Sequence, residues 1–161
     1  QVVTNSPAYP QQLAINEYWE KIGGTVFLPG TNRAADRFAR ASFYINSVPK
    51  TDNDKLAIAS VFSIIRNASV PIGITTPNEP NISTTRWRTV ADQKNKLYFF
   101  ESTYKENIFW VDLKDINFEK GQPLKKLTLT DGSYYTENTA KYFKDTNESF
   151  NFLPSVIAPN K

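Results

Sequence analysis

Three arginines open the chemical reading of this chain. Arg33, Arg37 and Arg40 recur at i, i+4 and i+7 in a segment with a helical apolar period. At 100° per residue the three fall within about 60° of one another on a helix. Arg37 lies nearest the apolar residues Phe38, Ala41 and Ile45, so the spacing predicts a half-buried Arg37, with Arg33 and Arg40 turned further toward solvent. A half-buried guanidinium stays charged, so it needs an acceptor or a task such as steadying a thiolate or carboxylate. The same spacing also fits a solvated basic face with Asp36 paired to Arg40 at i+4. Asn5, in the turn Asn5-Ser6-Pro7, has two readings as well. It is turn chemistry, or it is an amide donor aimed at developing negative charge.

Composition excludes much other chemistry. The 161 residues hold 0 Cys and 0 His. Cys/His zinc sites, His-ligated haem, Ser-His-Asp triads and Cys-His pairs are thereby removed from within this chain. Carboxylates are scattered and form no acid/base dyad, and 6 Gly build no phosphate-cradling loop. No metal and no cofactor is expected. The balance of 19 basic and 16 acidic residues, net +3, does not argue for nucleic acid. No apolar run approaches the ~18 residues of a membrane span. Asn67-Ala68-Ser69, Asn81-Ile82-Ser83 and Asn147-Glu148-Ser149 fit the glycosylation pattern, which chance supplies often in an Asn-rich chain. The chain opens on a β-branched run without Met or a leader-like segment, which reads as a piece of a longer polypeptide.

The elements that must position these residues follow from the change of period. Gln1 to Thr4 reads as a short strand. Pro10 to about Trp19 is helical and stops at Gly23-Gly24. Ala34 to Val48 is an amphipathic helix ended by Pro49. Asp52 to Arg66 is a second, capped by Asp52 or Asn53, with Ile58, Val61, Phe62 and Ile65 as its stripe. Pro71 to Pro80 is a loop. The period then becomes 2 over Thr85–Ala91, Lys96–Glu101 and Asn107–Leu113, with short links that favour antiparallel hairpins. Leu124 to Leu129 reads as one more strand, and the polar stretch beyond Asp131 as a loosely packed tail. Two helices followed by an antiparallel meander is α+β.

Several of these stretches, in order, resemble the choloylglycine hydrolase family of conjugated bile salt hydrolases and penicillin V acylases. They are Val3-Thr4-Asn5-Ser6-Pro7 with Tyr9 and Gln12-Leu13, then Leu28-Pro29-Gly30 with Asp36-Arg37-Phe38-Ala39-Arg40-Ala41. Asn67-Ala68-Ser69-Val70-Pro71-Ile72-Gly73 and Ser83 to Val90, with Asp92, Lys94 and Asn95, continue the series. Tyr98-Phe99-Phe100 and Val111-Asp112-Leu113 close it, so the likeness covers about residues 2 to 130.

The resemblance implies an Ntn (N-terminal nucleophile) hydrolase of four-layer αββα architecture, with residues 1–161 as the C-terminal half of one domain. It implies an N-terminal Cys nucleophile in a segment absent from this chain, with its own α-amine as base. It places Asn5 in the oxyanion hole and Arg37 beside the nucleophile. It implies a small-molecule amide as substrate: a conjugated bile salt, penicillin V or an N-acyl homoserine lactone. It further implies a homo-oligomer, a homotetramer in the family. The short segment between Asn5 and Arg37 is similar to Gram-negative members, hence a periplasmic setting. Thr31 departs from the pattern, because many relatives carry Asp after Leu-Pro-Gly. A non-catalytic binding or structural module with the same fold is the rival from another class. Half a sandwich would expose the sheet face of Tyr98, Phe100, Phe109 and Val111.

Overall fold

The computed structural model describes residues 1–23, 27–74, 77–78, 83–129 and 133–149. Three helices come first: α1 (Tyr9–Lys21), α2 (Ala34–Ser47) and α3 (Asp54–Asn67). Each starts or stops where local chemistry requires it. Pro10 stands in the first turn of α1, where its missing N–H costs nothing. α2 runs into the extended Val48, which Pro49 forces out of the helical region. Asn53 caps α3 by accepting the Leu56 N–H at 3.1 Å. Three helices, not two, thus precede the sheet, because α1 is a full helix of 13 residues. Gly24 of the expected stop lies outside the described residues, as do positions 75–76 and 79–80 of the proline-rich loop.

The meander follows as β1 (Trp87–Asp92), β2 (Leu97–Ser102) and β3 (Ile108–Asp112), all antiparallel in the order β1-β2-β3. The β1–β2 turn closes through Asp92, whose carboxylate accepts the Asn95 N–H at 3.0 Å. Asp54 at the start of α3 then holds Lys94 and Asn95 of that turn at 2.8 and 3.0 Å.

Register sorts the aromatic strands onto two faces. Val90, Phe99 and Trp110 lie in one row, and Phe99 meets Phe62 of α3 edge to face at 6.3 Å. Glu101, buried on that same face, is gripped from two sides. Arg66 of α3 donates Nε and Nη2 to one carboxylate oxygen at 3.0 and 2.5 Å, and Arg88 of β1 donates Nη1 to the other at 2.8 Å. Helix and sheet are therefore joined by an aromatic contact and an ionic one.

The opposite face carries Tyr98 across from Val111, and Phe100 across from Phe109. Its expected exposure is overturned for half of it: Phe109 and Val111 are buried, while Tyr98 stays exposed. The cover includes the stretch beyond Asp131, which is no loose tail over residues 133–149. Tyr135 packs on Phe109 with ring centroids 5.5 Å apart. Thr139, fully buried, donates its N–H and its hydroxyl to the Trp110 carbonyl at 2.8 and 2.9 Å. Trp110 N–H in turn reaches Glu137 O, and Asp112 N–H reaches Asn138 Oδ1. The outer edge of β3 is thus covered by chain, as an edge strand requires. The polar composition concealed this, because the burial comes from backbone pairing. β4 (Leu124–Lys126) is shorter than the expected strand and pairs with β5 (Lys144–Thr146). Residues 1–4 form no strand; no strand lies alongside them among the described residues.

Burial raises the Glu101 carboxyl, but the Arg66 and Arg88 hydrogen bonds outweigh it and hold the group below the usual glutamate range. A depressed folded pKa contributes stability that is fully present above the unfolded value of about 4.3 and is lost as pH falls through the folded value. Glu101→Gln is therefore expected to lower the melting temperature at neutral pH and to flatten its decline on acidification. Melting curves from pH 7 to pH 3 test this, and parallel declines in the two proteins would refute it.

Candidate active site

The turn Leu28-Pro29-Gly30-Thr31 leads into α2 and leaves carbonyls that no helix or strand can pair. Arg40 supplies the donors. Its Nη1 reaches Pro29 O at 2.7 Å and Thr31 O at 2.9 Å. Its Nε and Nη2 reach Oδ1 and O of Asn67, at the end of α3, at 3.2 and 3.4 Å. Only 9% of Arg40 is exposed. Burial pushes its guanidinium down from the ordinary arginine range, the neighbouring Arg37 pushes the same way, and Asp36 opposes both. Arg40, expected toward solvent, is thus the buried arginine of the three. Helical phase missed it because the groups covering it come from the turn and from α3, which periodicity does not see.

Asp36 does not pair with Arg40 through a hydrogen bond. Its carboxylate accepts the Thr31 hydroxyl, which itself accepts the Arg33 N–H at 3.2 Å. Thr31 therefore tightens the entry to α2, a task in which an Asp could not donate. Arg33 is exposed and serves α2 only as the residue before its first turn.

Arg37 is half-buried, as its phase predicts, and points elsewhere. Its Nε donates to Asn32 O at 3.2 Å, and its Nη2 to Asn5 Oδ1 at 3.0 Å. Asn5 is exposed, 32 positions earlier in the chain. The fold thus brings together the two residues singled out in the sequence. A guanidinium has donors only, so the contact selects the carbonyl end of the Asn5 carboxamide and turns its Nδ2 away. Among the described residues neither Asn5 Nδ2 nor Arg37 Nη1 has an acceptor. The segment around Asn5 walls a cavity of about 410 Å³ together with Tyr9, Gln12 and Phe38. An amide donor oriented by a guanidinium beside a cavity can donate to a carbonyl oxygen on which negative charge develops. Among the described residues no group of His, Cys, Asp and Glu could hold a metal.

Residues 1–131 match the family model of linear amide C-N hydrolases, choloylglycine hydrolase family. The chain belongs to this family. It is 52% identical to a penicillin V acylase of Pectobacterium atrosepticum, a match that covers 89% of this chain and 42% of that protein. The solved structure of penicillin V acylase from Agrobacterium tumefaciens is 57% identical, with a TM-score of 0.85, over 95% of this chain and 49% of that one. The chain spans less than half the length of each. Its α+β architecture is accordingly part of the Ntn-hydrolase fold, as the sequence motifs implied.

The sequence reading turned Arg40 toward solvent and passed over Gln12. Arg40 was signalled by the Pro-Gly turn, whose carbonyls had to find donors. Gln12 appeared only as a letter in a motif, yet it is buried at 1% exposure. Arg40→Ala would orphan the Pro29 and Thr31 carbonyls. The expected loss is about 3 kcal/mol of stability, at roughly 1 kcal/mol or more per buried acceptor left unpaired. Arg33→Ala is expected to change it by less than about 0.5 kcal/mol. Denaturant melts of the two variants test the contrast, and equal effects would contradict it.

Proposed function

We propose that this chain works as the C-terminal part of an Ntn cysteine amidase that hydrolyses linear amide bonds. Asn5 donates to the oxyanion, and Arg37 fixes Asn5 beside the nucleophile. The observation that carries this reading is the hydrogen bond from Arg37 Nη2 to Asn5 Oδ1 at 3.0 Å. It commits an exposed carboxamide to presenting its donor end. The chain contains no Cys, so the nucleophile belongs to a segment outside these 161 residues. The nucleophile's own α-amine takes the thiol proton, the thiolate attacks the amide carbonyl carbon, and the carbonyl electrons move onto oxygen, to which Asn5 Nδ2 donates a hydrogen bond. Collapse of that intermediate expels the amine, which leaves with the proton held by the α-amine, and water then cleaves the thioester, releasing the acid and restoring the thiol.

Penicillin V stands first among substrates, because the two named relatives are penicillin V acylases. Conjugated bile salts and N-acyl homoserine lactones share the linear amide and follow. A homotetramer in the periplasm is part of the same proposal, carried over from the family likeness. The 161 residues alone, without a nucleophile, are inactive on this reading. A non-catalytic module would be indifferent to both Asn5 and Arg37.

In the full-length protein, Asn5→Ala is expected to lower the turnover of penicillin V by roughly 100- to 1000-fold, the usual cost of one oxyanion donor. Its melting temperature should hold, since Asn5 is exposed. Turnover within about threefold of wild type would reduce Asn5 to turn chemistry.

Arg37→Lys should fail nearly as badly as Arg37→Ala. A single ammonium lacks the fork that reaches Asn32 O and Asn5 Oδ1 together. In Arg37→Ala the pH profile of thiol alkylation should move to higher pH. An unchanged profile would remove Arg37 from the nucleophile's surroundings.

A further inference from the structure

Gln12 is the second most deeply buried polar side chain among the described residues, and it is only half satisfied. Its Nε2 donates to Ala35 O at 3.2 Å, in the first turn of α2. Its Oε1 is buried and has no hydrogen-bond partner. The side chain also lines the cavity walled by Asn5 and Phe38. A buried amide oxygen without a donor costs about 1–3 kcal/mol, so it needs a reason to be there.

Packing alone supplies no such reason. Ala35 O already lies within α2 as an acceptor of the helical ladder. An apolar side chain of the same length would fill the site without an orphaned oxygen. The position of Gln12 suggests what the amide does instead. Its Nε2 ties α1 to α2 two residues before Arg37, so it sets where the first turns of that helix sit relative to the Asn5 segment. The orphaned Oε1 is shut off from solvent, so it is the donor end of the amide that carries the role.

We propose that Gln12 is a positioning residue of this site: Nε2 holds the first turn of α2 so that Arg37 meets Asn5. The proposal rests on the amidase reading and deepens it.

Gln12→Met and Gln12→Glu in the full-length enzyme test it. Gln12→Met removes the Nε2 donor together with the orphaned oxygen. Its melting temperature should hold or rise, while kcat for penicillin V falls roughly 10- to 100-fold, the scale of a small misplacement in a catalytic site. Gln12→Glu adds a readout that packing does not move. Its protonated carboxyl regains a donor for Ala35 O and keeps an acceptor, so kcat relative to wild type should climb as pH falls. A flat ratio across pH overturns the proposal, whether or not Gln12→Met also loses stability. So does a normal kcat in Gln12→Met. If Asn5→Ala leaves turnover intact, the amidase reading itself has failed. If Asn5→Ala is crippled and Gln12→Met is not, only the role of Gln12 has failed.

Discussion

Arg40 keeps its charge when buried, so its N–H donors need acceptors. Four of its hydrogen bonds go to three different places: the Pro29 carbonyl, the Thr31 carbonyl and both oxygens of Asn67. That requirement fixes the turn before α2 to the helix itself and fixes both to the end of α3. Arg37 stands one turn earlier on the same helix. Its reach to Asn5 depends on α2 holding its rotation, and Arg40 is what holds it.

The end of α3 is where this network joins the sheet. Asn67 answers Arg40, while the preceding residue, Arg66, answers Glu101 on β2. Ser69, just beyond, accepts Arg88 Nε at 2.7 Å, and Arg88 also holds Glu101. Three nearly consecutive residues therefore transmit the position of the aromatic sheet to the turn that seats the site. The aromatic contact of Phe62 with Phe99 supplies the apolar weight behind this joint. The ionic groups supply its geometry, because guanidinium–carboxylate bonds are directional where hydrophobic contact is not.

Most of the regular structure was legible in the sequence, because it is encoded locally. Pro10, Pro49 and Asn53 mark helix ends by their own chemistry, and the change of period at Thr85 marks the sheet. The misjudged burials share one cause, which is cover imposed from a distance. Thr139 is polar by type, and its seat is made by the Trp110 carbonyl on a strand 29 positions earlier. Arg40 is covered by a turn and by another helix. Gln12 meets α2 across 23 positions. In each case a polar side chain is buried because it answers a backbone carbonyl, a pairing that composition and periodicity do not register. Asn5 and Arg37 were legible for a different reason. Their motif carried them, local spacing left each with two readings, and the fold brings their side chains to 3.0 Å of one another.

On the amidase reading proposed above, the pairing also accounts for an asparagine at position 5. The segment around it is exposed, and an unheld carboxamide there would sample both orientations, presenting an oxygen as often as a nitrogen. Arg37 removes that ambiguity because it can only donate. An aspartate would bind Arg37 more strongly but would offer an oxyanion nothing except repulsion. A serine reaches one atom less far and has a single polar group, so it could not answer Arg37 while keeping a second group for a ligand. Asparagine alone among these answers a guanidinium with one end and keeps a donor at the other. The arginine's contribution is thus not confined to its charge. By selecting which end of a neighbouring amide faces outward, it turns an otherwise neutral, freely rotating group into a fixed dipole pointing one way. Fixing that dipole in advance is what lets an oxyanion site stabilise charge without reorganising at the moment of reaction.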